Sequence, residues 1–153
     1  MGQIVGIDLG TTNSVVGVIE AGRPIVIANS EGSRTTPSIV GFTKDKEIVI
    51  GDQARRQLVL NPKNTFYNLK RFIGSDWDEL DDTSISVPYN VKANNTGSVR
   101  VLSPNTEREY APEELVSSLI RKLINDAETY LGDTVDSAAV SYTHLRAHET
   151  HTN

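Results

Sequence analysis

Gly6-Ile7-Asp8-Leu9-Gly10-Thr11-Thr12-Asn13-Ser14 joins two apolar runs, residues 4–9 and 15–19, so it reads as the turn of a hairpin. Strand–turn–strand separates it from the P-loop and the dinucleotide fingerprint, which both lead from a strand into a helix. Gly10 frees the backbone for approach by a bulky ligand, and Thr11, Thr12 and Asn13 supply side-chain donors. Successive amides in such a turn form a concave nest that attracts anions. Asp8 interrupts an apolar strand, where an ionised carboxylate is costly unless it is paired. Two readings stay open for it. It caps a neighbouring amide, or it faces a hydrated Mg²⁺ beside a phosphate, since this ion keeps its waters and takes few protein ligands.

Working outward, residues 25–28, 38–42 and 48–50 continue as short strands, with the charged stretch 43–47 as a turn. Runs apolar on both sides, such as Ile4-Val5-Gly6-Ile7, predict a sheet covered on both faces. Residues 52–60 read as a short helix ending before Pro62. Asn64 is placed to cap a helix over 65–73, which Gly74 ends. On that helix Lys70 shares a face with Phe66 and Ile73. Either its stem covers the core with the ammonium in water, or it is a point charge for a transferring phosphoryl group.

Residues 84–91 alternate like a strand, and 99–101 resume after the turn Asn94-Asn95-Thr96-Gly97, as in a small half-exposed β subdomain. The acidic run 76–82 lacks the glycine and ligand spacing of a calcium loop and reads as a solvated surface loop. Residues 112–131 form the clearest helix: Pro112 opens it, Glu113 and Glu114 complement its dipole, and Gly132 follows it. A strand over 135–140 comes next.

The chain has 153 residues and a formal charge of -5, the profile of one soluble globular domain. It is not basic enough for a nucleic-acid footprint, so no nucleic-acid partner is expected. It has no cysteine, which removes disulfides, thiolate metal sites and a thiol nucleophile. Asp8 breaks the N-terminal apolar run, which argues against a signal peptide or membrane span and predicts no membrane partner. All three histidines fall in 141–153. His144 and His148 have the spacing of a helical metal site, but no Asp or Glu is placed to complete it.

Three blocks together resemble the seventy-kilodalton heat-shock chaperones of the DnaK type. They are residues 6–14 quoted above, then Glu31-Gly32-Ser33-Arg34-Thr35-Thr36-Pro37-Ser38, then Asn64-Thr65-Phe66-Tyr67-Asn68-Leu69-Lys70-Arg71-Phe72-Ile73-Gly74. Phe66-Tyr67 and Val87-Pro88-Tyr89 look most like cyanobacterial or plastid members. Sugar kinases of the same fold share a turn like the first block, and the other two blocks separate the chaperones from them. Two rivals remain to be distinguished by assay: such a kinase, and a non-enzymatic, filament-forming actin relative.

The resemblance implies an α/β fold, the truncated first lobe of an actin-like, ribonuclease-H-like ATPase over 1–140, with a small α+β subdomain inserted at about 39–114. It implies that Gly10, Thr11, Thr12 and Asn13 bind the phosphates of ATP or ADP. Asp8 then organises Mg²⁺ through water, and Lys70 contacts the γ-phosphate and attacking water. The parent would be a stress-response folding chaperone and ATP hydrolase of the bacterial cytoplasm or plastid stroma. Its partners would be unfolded clients, a J-domain co-chaperone and a nucleotide-exchange factor. After Val140 the chain leaves the family pattern, and its tail, 141–153, resembles translated read-through of sequencing or cloning material. Lacking the second half of the cleft, the chain by itself is expected to be inactive and to bind ATP no tighter than about millimolar.

Overall fold

The structure, a computed structural model, describes residues 2–142. Period-two burial builds the first sheet. β1 (Gln3–Leu9) buries Val5, Ile7 and Leu9 while Ile4 and Gly6 face out. β2 (Asn13–Glu20) runs back antiparallel, pairing Asp8 with Val15 and Leu9 with Ser14. β3 (Arg23–Val26) pairs with β2, as does the two-residue β4 (Thr36–Pro37). The last strand of the chain lies parallel to β1 on its other side, Ile7 opposite Val140 and Asp8 opposite Ser141.

The chain divides into two compact units. One comprises the residues up to Ser38 together with those from Ile120 on, and the other is Ile39–Leu119. The second unit holds two small sheets. β5 (Val40–Phe42) is flanked by β6 (Ile48–Ile50) and β7 (Thr65–Phe66). β8 (Asn90–Ala93), β9 (Val99–Ser103) and β10 (Arg108–Tyr110) form an antiparallel meander. Phe42 stacks on Tyr110, with centroids 4.8 Å apart. α1 (Asp52–Arg56) is shorter than the helix read over 52–60: turns follow it, and Val59 and Leu60 stand exposed.

α2 (Pro112–Leu131) has the predicted bounds, and β11 (Val135–Tyr142) follows it. In the first unit, the loop after β3 is tied to α2 by charge. Lys122 donates to Glu31 at 3.1 Å and to Asp126 at 2.7 Å, and Ser30 also hydrogen-bonds Asp126. Burial alone would lower the Lys122 pKa. The hydrogen bonds and charges of Asp126 and Glu31 outweigh that and hold it above the ordinary lysine value.

Three further expectations need correction. Residues 65–73 do not form one helix capped by Asn64; the segment is a 3₁₀ turn (Pro62–Asn64), then β7, then a second 3₁₀ turn (Leu69–Arg71). Lys70 and Phe66 therefore share no helical face. The strand read over 84–91 begins only at Asn90, because 83–89 is spent in turns that deliver Tyr89 to the core. The first sheet is not covered on both sides among the described residues: Ile4 is 68% exposed and Ile19 is 64% exposed. β11 runs two residues past Val140, into the segment read from the sequence as a tail. The three histidines lie outside the described residues.

Candidate functional site

The turn between β1 and β2 is closed by sterics. A Cβ on Gly10 would fall on the carbonyl oxygen of Asn13, so no other residue fits without moving the backbone. Thr12 and Asn13 are exposed, Gly10 and Thr11 half-buried, and Ser14 fully buried beneath them. Behind the turn lies Ser38. Its amide donates to the Thr12 carbonyl at 2.9 Å, and its hydroxyl donates to the Gly10 carbonyl at 2.9 Å and lies 2.8 Å from Ser14 Oγ.

Asp8 sits half-buried near the end of β1, in register with Val15 on one side and Ser141 on the other. Ser141 Oγ is 3.5 Å from Asp8 Oδ1 and 3.5 Å from the Ile7 carbonyl oxygen. Among the described residues no three Asp, Glu, His or Cys side chains cluster into a metal cage.

Lys70 belongs to the second unit and is half-buried on the 3₁₀ turn Leu69–Arg71. Asn68 enters that turn in the left-handed conformation, at φ 57°, while Leu69 and Phe72 are buried. Three anchors fix the segment. Asn64 Oδ1 accepts from Ser103 Oγ and from the Asn105 amide, each at 2.8 Å. Tyr89 donates to the Tyr67 carbonyl at 2.5 Å. The Gly74 amide donates to Glu113 at 3.2 Å. Burial pushes the Tyr89 phenol far above its usual pKa, the Tyr67 phenol adds to this, and Arg71 opposes it.

The structure thus brings Asp8, Gly10, Thr11, Thr12 and Asn13 together at one end of the first sheet, and puts Lys70 on a braced turn of the other unit. Sequence reasoning missed Ser14, Ser38, Asn64 and Tyr89 as supports. Asn29 was missed too: its Oδ1 accepts from the amides of Glu31 and Ser33 at 3.0 and 2.8 Å, and its Nδ2 donates to Thr36 Oγ1 at 3.0 Å. The available signal was polarity at positions flanked by apolar residues, as at Ser38.

A family model described as Hsp70 protein matches residues 4–143. The chain is 88% identical over 141 residues to "Chaperone protein dnaK1" of Prochlorococcus marinus subsp. pastoris, covering 92% of this chain and 21% of that relative. It is 70% identical, with the same coverage, to "Chaperone protein dnaK1" of another strain of Prochlorococcus marinus. To "Chaperone protein dnaK3" of Thermosynechococcus vestitus it is 56% identical, again over 92% of this chain and 21% of that relative. The chain spans about a fifth of the length of these curated relatives.

Proposed function

The chain belongs to the Hsp70 family, and on that premise we propose that it is the N-terminal part of the ATPase domain of a DnaK-type molecular chaperone. The family carries an actin-like ATPase fold, and the mixed α/β sheets here accord with it. The observation that carries the reading is the glycine-closed turn with Asp8 beside it on β1, inside a chain that matches the family over 4–143.

In this reading the backbone and hydroxyls of Gly10, Thr11, Thr12 and Asn13 meet the phosphates of ATP or ADP. Asp8 holds the hydrated Mg²⁺ through water, and the ion, when bound, neutralises phosphate charge. Lys70 is the point charge that acts in hydrolysis. Its braced 3₁₀ turn supports a positioned ammonium more than a loose surface lysine.

The whole protein would couple hydrolysis to the capture of unfolded clients, assisted by a J-domain protein and a nucleotide-exchange factor. A bacterial cytoplasm fits the cyanobacterial relatives, with plastid stroma the organellar counterpart. No helix among the described residues is long and apolar enough to cross a membrane. The separate compact unit Ile39–Leu119 supports an inserted subdomain near 39–114, and the end of the family match at residue 143 supports a foreign tail, read from the sequence as 141–153. The family match favours a chaperone over a sugar kinase of the same fold.

The test is single-turnover ATP hydrolysis by the full-length protein with Mg²⁺. Lys70→Ala is expected to slow it about a hundredfold, as for loss of one transition-state donor. Nucleotide affinity should change much less. Asp8→Asn should shrink the gain in ATP affinity that Mg²⁺ brings. Equal rates for Lys70→Ala, an unchanged Mg²⁺ gain for Asp8→Asn, or phosphate transfer to a sugar would overturn the corresponding assignment.

A further inference from the structure

The second sequence block, residues 31–38, has no role in the reading above, yet it ends on the residue that holds the turn. Ser38 is buried, and its hydroxyl has two oxygen neighbours, Ser14 Oγ and the Gly10 carbonyl. A carbonyl can only accept. The one Ser38 proton is therefore committed to Gly10, and Ser14, wholly buried, donates to Ser38. The hydrogen bonds run in one direction, from Ser14 to Ser38 to the Gly10 carbonyl.

That direction sets where an amide points. No peptide among the described residues is cis, and a trans peptide aims its N–H opposite to its C=O. Drawing the Gly10 carbonyl toward Ser38 turns the Thr11 amide away from it. The Ser38 backbone amide does the same to the next-but-one peptide, taking the Thr12 carbonyl and turning the Asn13 amide away. Ser38 is itself held in place. β4 pairs Thr36 with Ser14 and Pro37 with Asn13, and Asn29 fixes the loop that leads into β4.

We propose that Ser38 is a positioning residue for the phosphate-binding turn, its hydroxyl orienting the Gly10–Thr11 peptide so that the Thr11 amide meets the anion. Ser38 itself touches no ligand. The proposal rests on the phosphate-binding reading of that turn. It gives the block from Glu31 to Ser38 a physical task, which is to carry one hydroxyl to the back of a turn some 28 residues earlier in the chain.

The experiment compares ATP with adenosine, both with Mg²⁺, by calorimetry on the full-length protein. Adenosine reports everything except the phosphates. Ser38→Ala is expected to weaken ATP about tenfold and leave adenosine unchanged, the scale of one oriented hydrogen bond. Ser38→Thr, which keeps the hydroxyl, restores the ratio. An equal loss for both ligands that Ser38→Thr does not repair means that Ser38 only fills space, and overturns the proposal. An ATP-to-adenosine ratio unmoved by Ser38→Ala also overturns it. If the unsubstituted protein binds ATP no tighter than adenosine, the phosphate reading itself fails and takes this proposal with it. Should Ser38→Ala not fold, Ser14→Ala decides. It removes only the donor behind Ser38, and a smaller loss confined to ATP is expected, while no loss refutes the idea.

Discussion

Tyr89 shows what one hydroxyl does for the turn that bears Lys70. It donates to the Tyr67 carbonyl at 2.5 Å, and its ring meets Phe66 and Tyr67 edge-on at 5.0 and 5.8 Å. Tyr89→Phe keeps those ring contacts and leaves the Tyr67 carbonyl short of a donor, so stability near neutral pH should fall by about 1 kcal/mol. The pH dependence has a definite sign. Burial raises the folded pKa above the unfolded value of 10.0, so above that pH the unfolded chain releases a proton that the native state keeps. The stability that this group contributes is full below 10.0 and is lost as pH rises toward the folded value. Lys122, also raised, loses its contribution in the same direction at pH above 10.5. Urea unfolding across alkaline pH should therefore show Tyr89→Phe losing less stability than the unsubstituted protein, with the slope from Lys122 retained. Parallel curves would mean that the phenol is not desolvated as described.

At the scale of elements, legibility followed the distance between partners. The β1–β2 hairpin, its Asp8 and its Gly10–Asn13 turn were readable because every determinant lies within about ten residues of the others. α2 was readable for the same reason: Pro112 opens it, and Gly132, at φ 67°, ends it with its amide on the Glu128 carbonyl at 2.9 Å. The segment 62–74 misled because its spacing imitates a helix while its partners are remote. Thr65 and Phe66 pair with β5 instead, and the Asn64 oxygen accepts from Ser103 and Asn105, 39 and 41 residues away. Ser38 stayed hidden for the same reason, 28 residues from Gly10. A buried hub of this kind has a measurable weight. Asn64 is 5% exposed, and among the described residues no buried side-chain nitrogen or oxygen lacks a partner. Asn64→Ala leaves the Ser103 hydroxyl and the Asn105 amide without their acceptor and should destabilise the protein by about 2–4 kcal/mol. Chemical denaturation reads this directly, and a loss under about 0.5 kcal/mol would show that water replaces the asparagine at no cost.

For the molecule as a whole, the exposed side of the first sheet is the feature with consequences. Ile4 and Ile19 stand on neighbouring strands, and since Val5 lies opposite Val18 the two fall opposite each other on the outer face. Val26, 43% exposed, lies beside Gly17 on that face. Single exposed apolar residues are ordinary, but a cross-strand pair with a third neighbour forms a contiguous patch. Among the described residues β11 is also an edge strand, paired with β1 alone, and an open edge offers a second route to association. The patch should dominate. Burying an isoleucine is worth about 1.5–3 kcal/mol, whereas an edge twists and must be matched in register. The 153-residue chain expressed by itself is therefore expected to self-associate at micromolar concentration. Ile4→Lys with Ile19→Lys should weaken that association about a hundredfold, since both side chains already face water and the fold loses little. Sedimentation velocity of the two proteins, with circular dichroism to confirm equal folding, separates the cases. Association that survives the double substitution would assign it to the β11 edge, and a monomeric unsubstituted chain would show that the outer face is already protected.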